Sequence, residues 1–242
     1  MRIGAVVLDM DGLLIDTEPV WRTAEAEVFA ELGVELTQAD LFESTGPTID
    51  EVVRAWLPRR PPSAVGPSAA GPPSVGPSAG PSAAGPPEPG PAEVAGWITD
   101  RVADHVSRAG VPMPGVPEAI ALFRRAGLRL AIASSSPAHL IDAVCARLGL
   151  DIEIRCSALN EPRGKPAPDV YLAAARRLEL SPDRCLAVED SPAGVLSAKA
   201  AGMTCLAVPD PLLAGDPRYG RADLVLASLI LLDEPLLRKL TT

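Results

Sequence analysis

The sequence predicts an α/β protein, a parallel-sheet core carrying a small α-helical cap inserted after its first strand. Short uncharged apolar runs recur along the chain, each closed by polar or acidic residues, as strands buried on both faces of a parallel sheet are. From about residue 118 these runs alternate with helical patterns. Between the first run and that alternation lie only helical periodicity and a Pro-rich tract, so the sheet pattern returns only near residue 128. With 242 residues, 47% of them hydrophobic, the chain can bury a full core. The expected division is a core domain over 1–17 and 112–242 and a helical cap over 18–111.

Taken in order, Ile3 to Leu8 reads as a short buried strand ending at Asp9-Met10-Asp11-Gly12, followed by a second apolar patch, Leu13-Leu14-Ile15. Glu18-Pro19 opens an amphipathic helix through Trp21, Ala24, Val28 and Leu32, ended by Gly33. Further helical patches begin near Gln38 and run from Thr48 to Leu57, with Ser44-Thr45-Gly46-Pro47 between them. Pro58 to Pro91 is almost entirely Pro, Gly, Ser and Ala; its only large apolar residues are two valines, which predicts a long disordered surface loop. Ala92 to Ala109 completes the cap as a helix.

The α/β alternation then begins with a helix from Glu118 to Ala126 and a strand from Leu128 to Ala133 that ends in Ser134-Ser135-Ser136. Read locally, these serines simply cap the helix from Ala138 to Leu148; hydroxyls and amides at such a junction also suit an oxyanion. Lys165 stands in a stiff Gly-Lys-Pro-Ala-Pro loop before a helix over Val170 to Leu178. Cys185 to Val188 forms a strand closed by Glu189-Asp190, with Ser191 as N-cap and Pro192 opening the next helix. Met203 to Val208 and Ala222 to Ala227 supply two more strands, and a last helix covers about Ser228 to Leu240.

A net charge of −9 opposes docking on nucleic acid or anionic lipid. No apolar run approaches a membrane span, and the N-terminal run is too short for a secretory signal, so a cytoplasmic location and a monomer without nucleic-acid or membrane partners are expected. The four cysteines are widely spaced, without a Cys-x-x-Cys pair, and read as buried small apolar residues.

Four strand-end loops thus offer Asp9 and Asp11, then Ser134, then Lys165, then Glu189 and Asp190. The crevice beyond the carboxyl ends of parallel strands is where ligands bind in such sheets. A lone Asp-x-Asp also fits a solvated turn and a lone lysine a solvated surface. Together, oxygen-rich carboxylates suit Mg²⁺, lysine and hydroxyl donors suit a phosphate, and an aspartate can be the covalent phosphoryl acceptor.

With these motifs in this order, the sequence resembles the haloacid dehalogenase superfamily, in the subgroup with a helical cap after the first strand. The matching residues are Asp9-Met10-Asp11-Gly12, Ser134, Lys165-Pro166 and Glu189-Asp190, and the likeness spans Arg2 to about Val208 apart from the low-complexity tract. It implies a three-layer Rossmann-like core and a Mg²⁺-dependent phosphatase acting on a small phosphomonoester. By resemblance Asp9 is the nucleophile and Asp11 the acid and base. The Asp11 backbone carbonyl joins Asp9 and Asp190 on Mg²⁺, with Glu189 in the metal's outer shell, while Ser134, the Ser135 amide and Lys165 hold the phosphate. The stretch from Asp9 to Trp21 and Gly46-Pro47-Thr48-Ile49 is most similar to sugar-phosphate phosphatases acting on 2-deoxyglucose 6-phosphate and hexitol phosphates. That likeness implies substrate contacts from Trp21, Gly46, Pro47, Thr48, Ile49 and Ser136. The variability of Pro47-Thr48 leaves the substrate open, and the Pro-rich tract replaces a shorter cap connection. The alternative is a β-phosphoglucomutase-like phosphotransferase, which usually places a histidine near the position of Trp21. The retained Asp11 argues against a dehalogenase; together with the inserted cap it argues against a phospho-acceptor receiver.

Overall fold

The computed structural model describes residues 3–43, 48–61 and 88–241. Strand β1 (Ala5–Leu8) is followed by helices α1 (Glu18–Glu31), α2 (Gln38–Glu43), α3 (Ile49–Trp56) and α4 (Pro91–Ala109). Then come α5 (Val116–Arg125), β2 (Arg129–Ser134), α6 (Ala138–Leu148), β3 (Ile154–Ser157), α7 (Asp169–Arg177), β4 (Cys185–Glu189), α8 (Pro192–Ala200), β5 (Thr204–Ala207), β6 (Leu224–Val225) and α9 (Glu234–Thr241). The chain divides into two compact units, one of Met1–Glu18 with Ala103–Thr242 and the other of Pro19–Val102.

In the first unit the strands form one six-stranded sheet in the order β3-β2-β1-β4-β5-β6, with parallel pairing throughout. The chain winds outward from β1 through β2 to β3, then returns to the other side of β1 and winds out through β6. The winding therefore reverses between β1 and β4, the place where such sheets open a binding crevice. Their register, Ala5↔Cys185 through Leu8↔Val188, brings the residue after β1 beside the last residue of β4. The Asp9 amide completes this seam by donating to the Val188 carbonyl at 3.0 Å.

β1 is buried along its whole length, which explains its unbroken apolar sequence. Small residues of five strands, among them Ala5, Val7, Ala131, Cys156, Ala187 and Cys205, pack in one core cluster with Tyr171 and Leu178 and with Val195 and Ala198 of α8. All four cysteines are free and buried; three of them, Cys156, Cys185 and Cys205, belong to this cluster. Helix α8 begins as its sequence predicts: the Ser191 side chain accepts from the Gly194 amide at 3.0 Å, and Pro192 occupies the first turn.

In the second unit α1 buries Ala24, Val28 and Phe29 and α3 buries Val52, Val53 and Trp56. Thr48 and Glu51 form a capping box at the start of α3, and Arg101 binds both Glu27 and Glu31, at 2.8 and 2.9 Å. The Pro-rich tract begins inside this folded unit. Leu57–Arg59 is a 3₁₀ turn, with the Arg59 guanidinium over the Trp56 ring at 4.1 Å and paired to Asp40 at 3.0 Å. The predicted loop itself, residues 62–87, and the Gly46-Pro47 pair lie outside the described residues.

The structure corrects three sequence readings. Strand β3 is absent from the sequence expectation because Asp151 to Arg155 mixes charged and apolar residues, as an edge strand paired on one side can. The predicted strand over Ala222 to Ala227 contracts to the two residues of β6 at the other edge. The single helix expected over 228–240 is instead a 3₁₀ turn, Leu229–Leu231, and the separate helix α9, whose first turn Asp233 holds through a 2.9 Å bond to the Leu236 amide.

Candidate active site

At the carboxyl ends of β1 and β4, Asp9, Glu189 and Asp190 each offer a carboxylate oxygen within 4.8 Å of the others. Asp9 is 6% exposed and Glu189 fully buried. The Lys165 ammonium lies between them, 2.5 Å from Asp9 Oδ1 and 2.5 Å from Glu189 Oε1. The loop before α7 that carries Lys165 is tied to α8 where the buried Ser197 hydroxyl donates to the Ala167 carbonyl at 2.5 Å. Sequence spacing alone does not reveal that anchor.

Glycine makes this crowding possible at two positions. Gly12 turns the chain with φ +77°, and a Cβ there would stand 2.2 Å from Asp190 Oδ2. A Cβ on Gly194 would fall 1.9 Å from the Glu189 carboxyl carbon. The Glu189 carboxylate therefore rests on the first turn of α8, where Oε2 accepts from the Ser191 amide at 3.3 Å and hydroxyl at 3.1 Å.

Asp11 faces a different environment. Its Oδ1 accepts from the Thr17 hydroxyl at 2.9 Å, and Oδ2 accepts from the Ser136 and Ser134 hydroxyls at 2.8 and 3.3 Å. The loop that aims it is closed by Gly12 N–H to the Ile15 carbonyl and Leu14 N–H to the Met10 carbonyl, with Leu13, Leu14 and Ile15 buried beneath. The serine triplet thus does not cap α6, whose N-cap is Pro137 without a side-chain bond. Ser134 and Ser136 are buried and turned to Asp11, and the Ser136 carbonyl accepts from Ser157 at 2.7 Å; Ser135 is exposed. A hydroxyl six residues beyond Asp11, as on Thr17, carries no signal of its own in the sequence.

Burial raises the Asp9 carboxyl to about 8, Lys165 pulling it back down and Glu189 and Asp11 pushing it further up. Burial, then Asp9 and Glu189, hold Asp190 well above the carboxylate range. Burial alone would lower Lys165, but Asp9 and Glu189 more than offset it and keep the ammonium charged. Asp9, Glu189 and Asp190 together offer a donor set made only of oxygen. Such a set fits a hard divalent cation.

Trp21 and Thr48-Ile49 belong to the helical unit. Trp21 is half-buried on α1, and the Thr48 hydroxyl donates to Glu51 Oε2 at 2.9 Å.

The chain as a whole has counterparts among known proteins. A family model for haloacid dehalogenase-like hydrolases matches residues 3–202, and the chain belongs to that family. It is a phosphatase-class hydrolase of Rossmann-like fold. Hexitol phosphatase B of Escherichia coli K12 is 37% identical over 231 residues, covering 94% of this chain and 93% of that protein. The crystal structure of CbbY from Rhodobacter sphaeroides in complex with phosphate superposes with a TM-score of 0.73 at 28% identity, covering 95% of this chain and 96% of that one. A putative β-phosphoglucomutase from Thermotoga maritima shares the fold, with a TM-score of 0.71 at 23% identity over 98% of each chain. Among the described residues no helix is long and apolar enough to cross a membrane.

Proposed function

We propose that this protein is a Mg²⁺-dependent phosphatase that hydrolyses a small sugar or hexitol phosphate through an aspartyl-phosphate on Asp9. The observation that carries this reading is the division of partners between the two aspartates: Asp9 joins Lys165 and the acidic cluster, while the Asp11 carboxylate accepts from the hydroxyls of Thr17, Ser134 and Ser136. The likeness to hexitol phosphatase B supports the substrate class.

An Asp9 oxygen attacks phosphorus, the ester P–O bond breaks, and the leaving oxygen takes a proton from Asp11. Asp11 then accepts a proton from water as the water oxygen attacks phosphorus. The bond to Asp9 breaks, restoring its carboxylate and releasing inorganic phosphate. Hydroxyls both donate and accept, so Thr17, Ser134 and Ser136 can hold Asp11 in either protonation state. Lys165, Ser134 and the Ser135 amide bind the phosphoryl oxygens. Asp9, Asp190 and the Asp11 carbonyl, with Glu189 beside them, would hold a Mg²⁺ ion, which would neutralise charge on the transferring group. The resemblance, and not their placement, assigns substrate contacts to Trp21, Gly46, Pro47, Thr48, Ile49 and Ser136.

Purified protein with Mg²⁺, tested against a panel of sugar and hexitol phosphates, is expected to release inorganic phosphate from hexose and hexitol 6-phosphates. Conversion of β-glucose 1-phosphate to glucose 6-phosphate, primed by the bisphosphate and without phosphate release, would overturn this reading in favour of a mutase.

A further inference from the structure

The chain has only two tyrosines, and both send their hydroxyls to the Glu189-Asp190 pair. Tyr171, on α7, is fully buried and donates to Glu189 Oε1 at 2.5 Å, the same oxygen that receives Lys165. Its ring centroid lies 5.2 Å from the Lys165 nitrogen. Tyr219 comes from the 3₁₀ turn Pro217–Arg221, is 3% exposed, and donates to the Asp190 backbone carbonyl.

Phenylalanine would fill either buried site without the desolvation of a phenol, so the hydroxyls must be accounted for by what they hold. Carboxylates whose oxygens lie within 4.8 Å of one another repel when charged, so groups that hold the pair in place matter to its arrangement. Tyr171 fixes the Glu189 carboxylate from the α7 side while Ser191 fixes it from the α8 side. Tyr219 fixes the peptide from which the Asp190 side chain departs toward Gly12.

We propose that Tyr171 and Tyr219 are positioning residues that hold the acidic pair in the arrangement a divalent cation requires. The proposal rests on the Mg²⁺ site proposed above. Neither tyrosine is assigned a proton transfer. Their contribution is to cation affinity and not to the substrate's binding.

Wild type, Tyr171→Phe and Tyr219→Phe are to be titrated with Mg²⁺ by calorimetry, and kcat and KM measured at saturating Mg²⁺. Each Phe variant retains the ring and is expected to bind Mg²⁺ about tenfold more weakly, the worth of one hydrogen bond, with KM changed less than about twofold. Unchanged Mg²⁺ affinity in both variants, with an active wild type, overturns the proposal and leaves the phosphatase reading standing. A wild type that neither binds Mg²⁺ nor hydrolyses phosphomonoesters overturns both, and that arm needs no variant. Should a variant fail to fold, fluorotyrosine-labelled wild type gives two fluorine resonances, one per tyrosine. Both are expected to shift on Mg²⁺ addition, and resonances indifferent to saturating Mg²⁺ overturn the proposal.

Discussion

Two aspartates separated by a single residue have different hydrogen-bond partners, and the proposed division of roles between them rests on that difference. Asp9 is pressed against an ammonium and other carboxylates, and Asp11 is surrounded by hydroxyls. Asp9→Asn is therefore expected to abolish turnover, since no amide can form the acyl-phosphate bond. Asp11→Asn is expected to lower kcat roughly a hundred- to ten-thousand-fold and to spare substrates with good leaving groups, which steady-state assays on aryl and alkyl phosphates would resolve. Near-normal activity in Asp9→Asn contradicts the assignment. The buried charge also predicts a pH dependence. Burial raises Asp9 from 3.8 to about 8 in the metal-free protein, so between those values the folded chain keeps a proton that the unfolded chain releases. Its contribution to metal-free stability thus falls as pH rises through that window. A cation displaces that proton, so the Mg²⁺-induced rise in Tm should grow from about pH 6 to about pH 8. A thermal shift independent of pH contradicts it.

At the scale of elements, the start of α8 is where helix and chemistry are joined. A glycine in a helix is ordinarily stabilised by alanine, by about 0.5–1 kcal/mol. Gly194→Ala is expected to do the opposite, since the new methyl would occupy the space of the Glu189 carboxylate. Overpacking of this kind destabilises by roughly 1–3 kcal/mol, visible as a lower Tm together with lost Mg²⁺ response. A raised Tm with normal turnover would show that Glu189 need not lie there. Buried elements announced themselves in the sequence: β1 and β4 are apolar runs because both faces are covered, and Ser191-Pro192 marked the start of α8. Edge elements did not, since β3 is four residues long and carries Arg155, and β6 is two residues long. The serines of 134–136 misled locally because their partner, Asp11, lies more than a hundred residues away in the chain.

For the molecule as a whole, the candidate motifs stand out in the sequence because each lies at a strand end or in the loop that follows a strand, and the parallel order of the sheet brings those ends together. The residues that aim them, Thr17, Tyr171, Ser197 and Tyr219, do not, because their roles exist only through contacts between elements. The sequence between 62 and 87 contains only Pro, Ser, Ala, Gly and Val, too little apolar volume to build a core. Replacing it with a short Gly/Ser linker is expected to leave cooperative unfolding and kcat nearly unchanged, closure entropy varying only slowly with loop length. A large loss of either would assign the tract a packing role. The central claim, that Asp9 carries the phosphoryl group, is tested most directly by acid-quenching a single turnover of the best sugar phosphate, labelled with radioactive phosphorus, and mapping the labelled peptide. The account predicts label on the peptide containing Asp9 in wild type and none in Asp9→Asn. Turnover without any protein-bound label, or label on another residue, would contradict it.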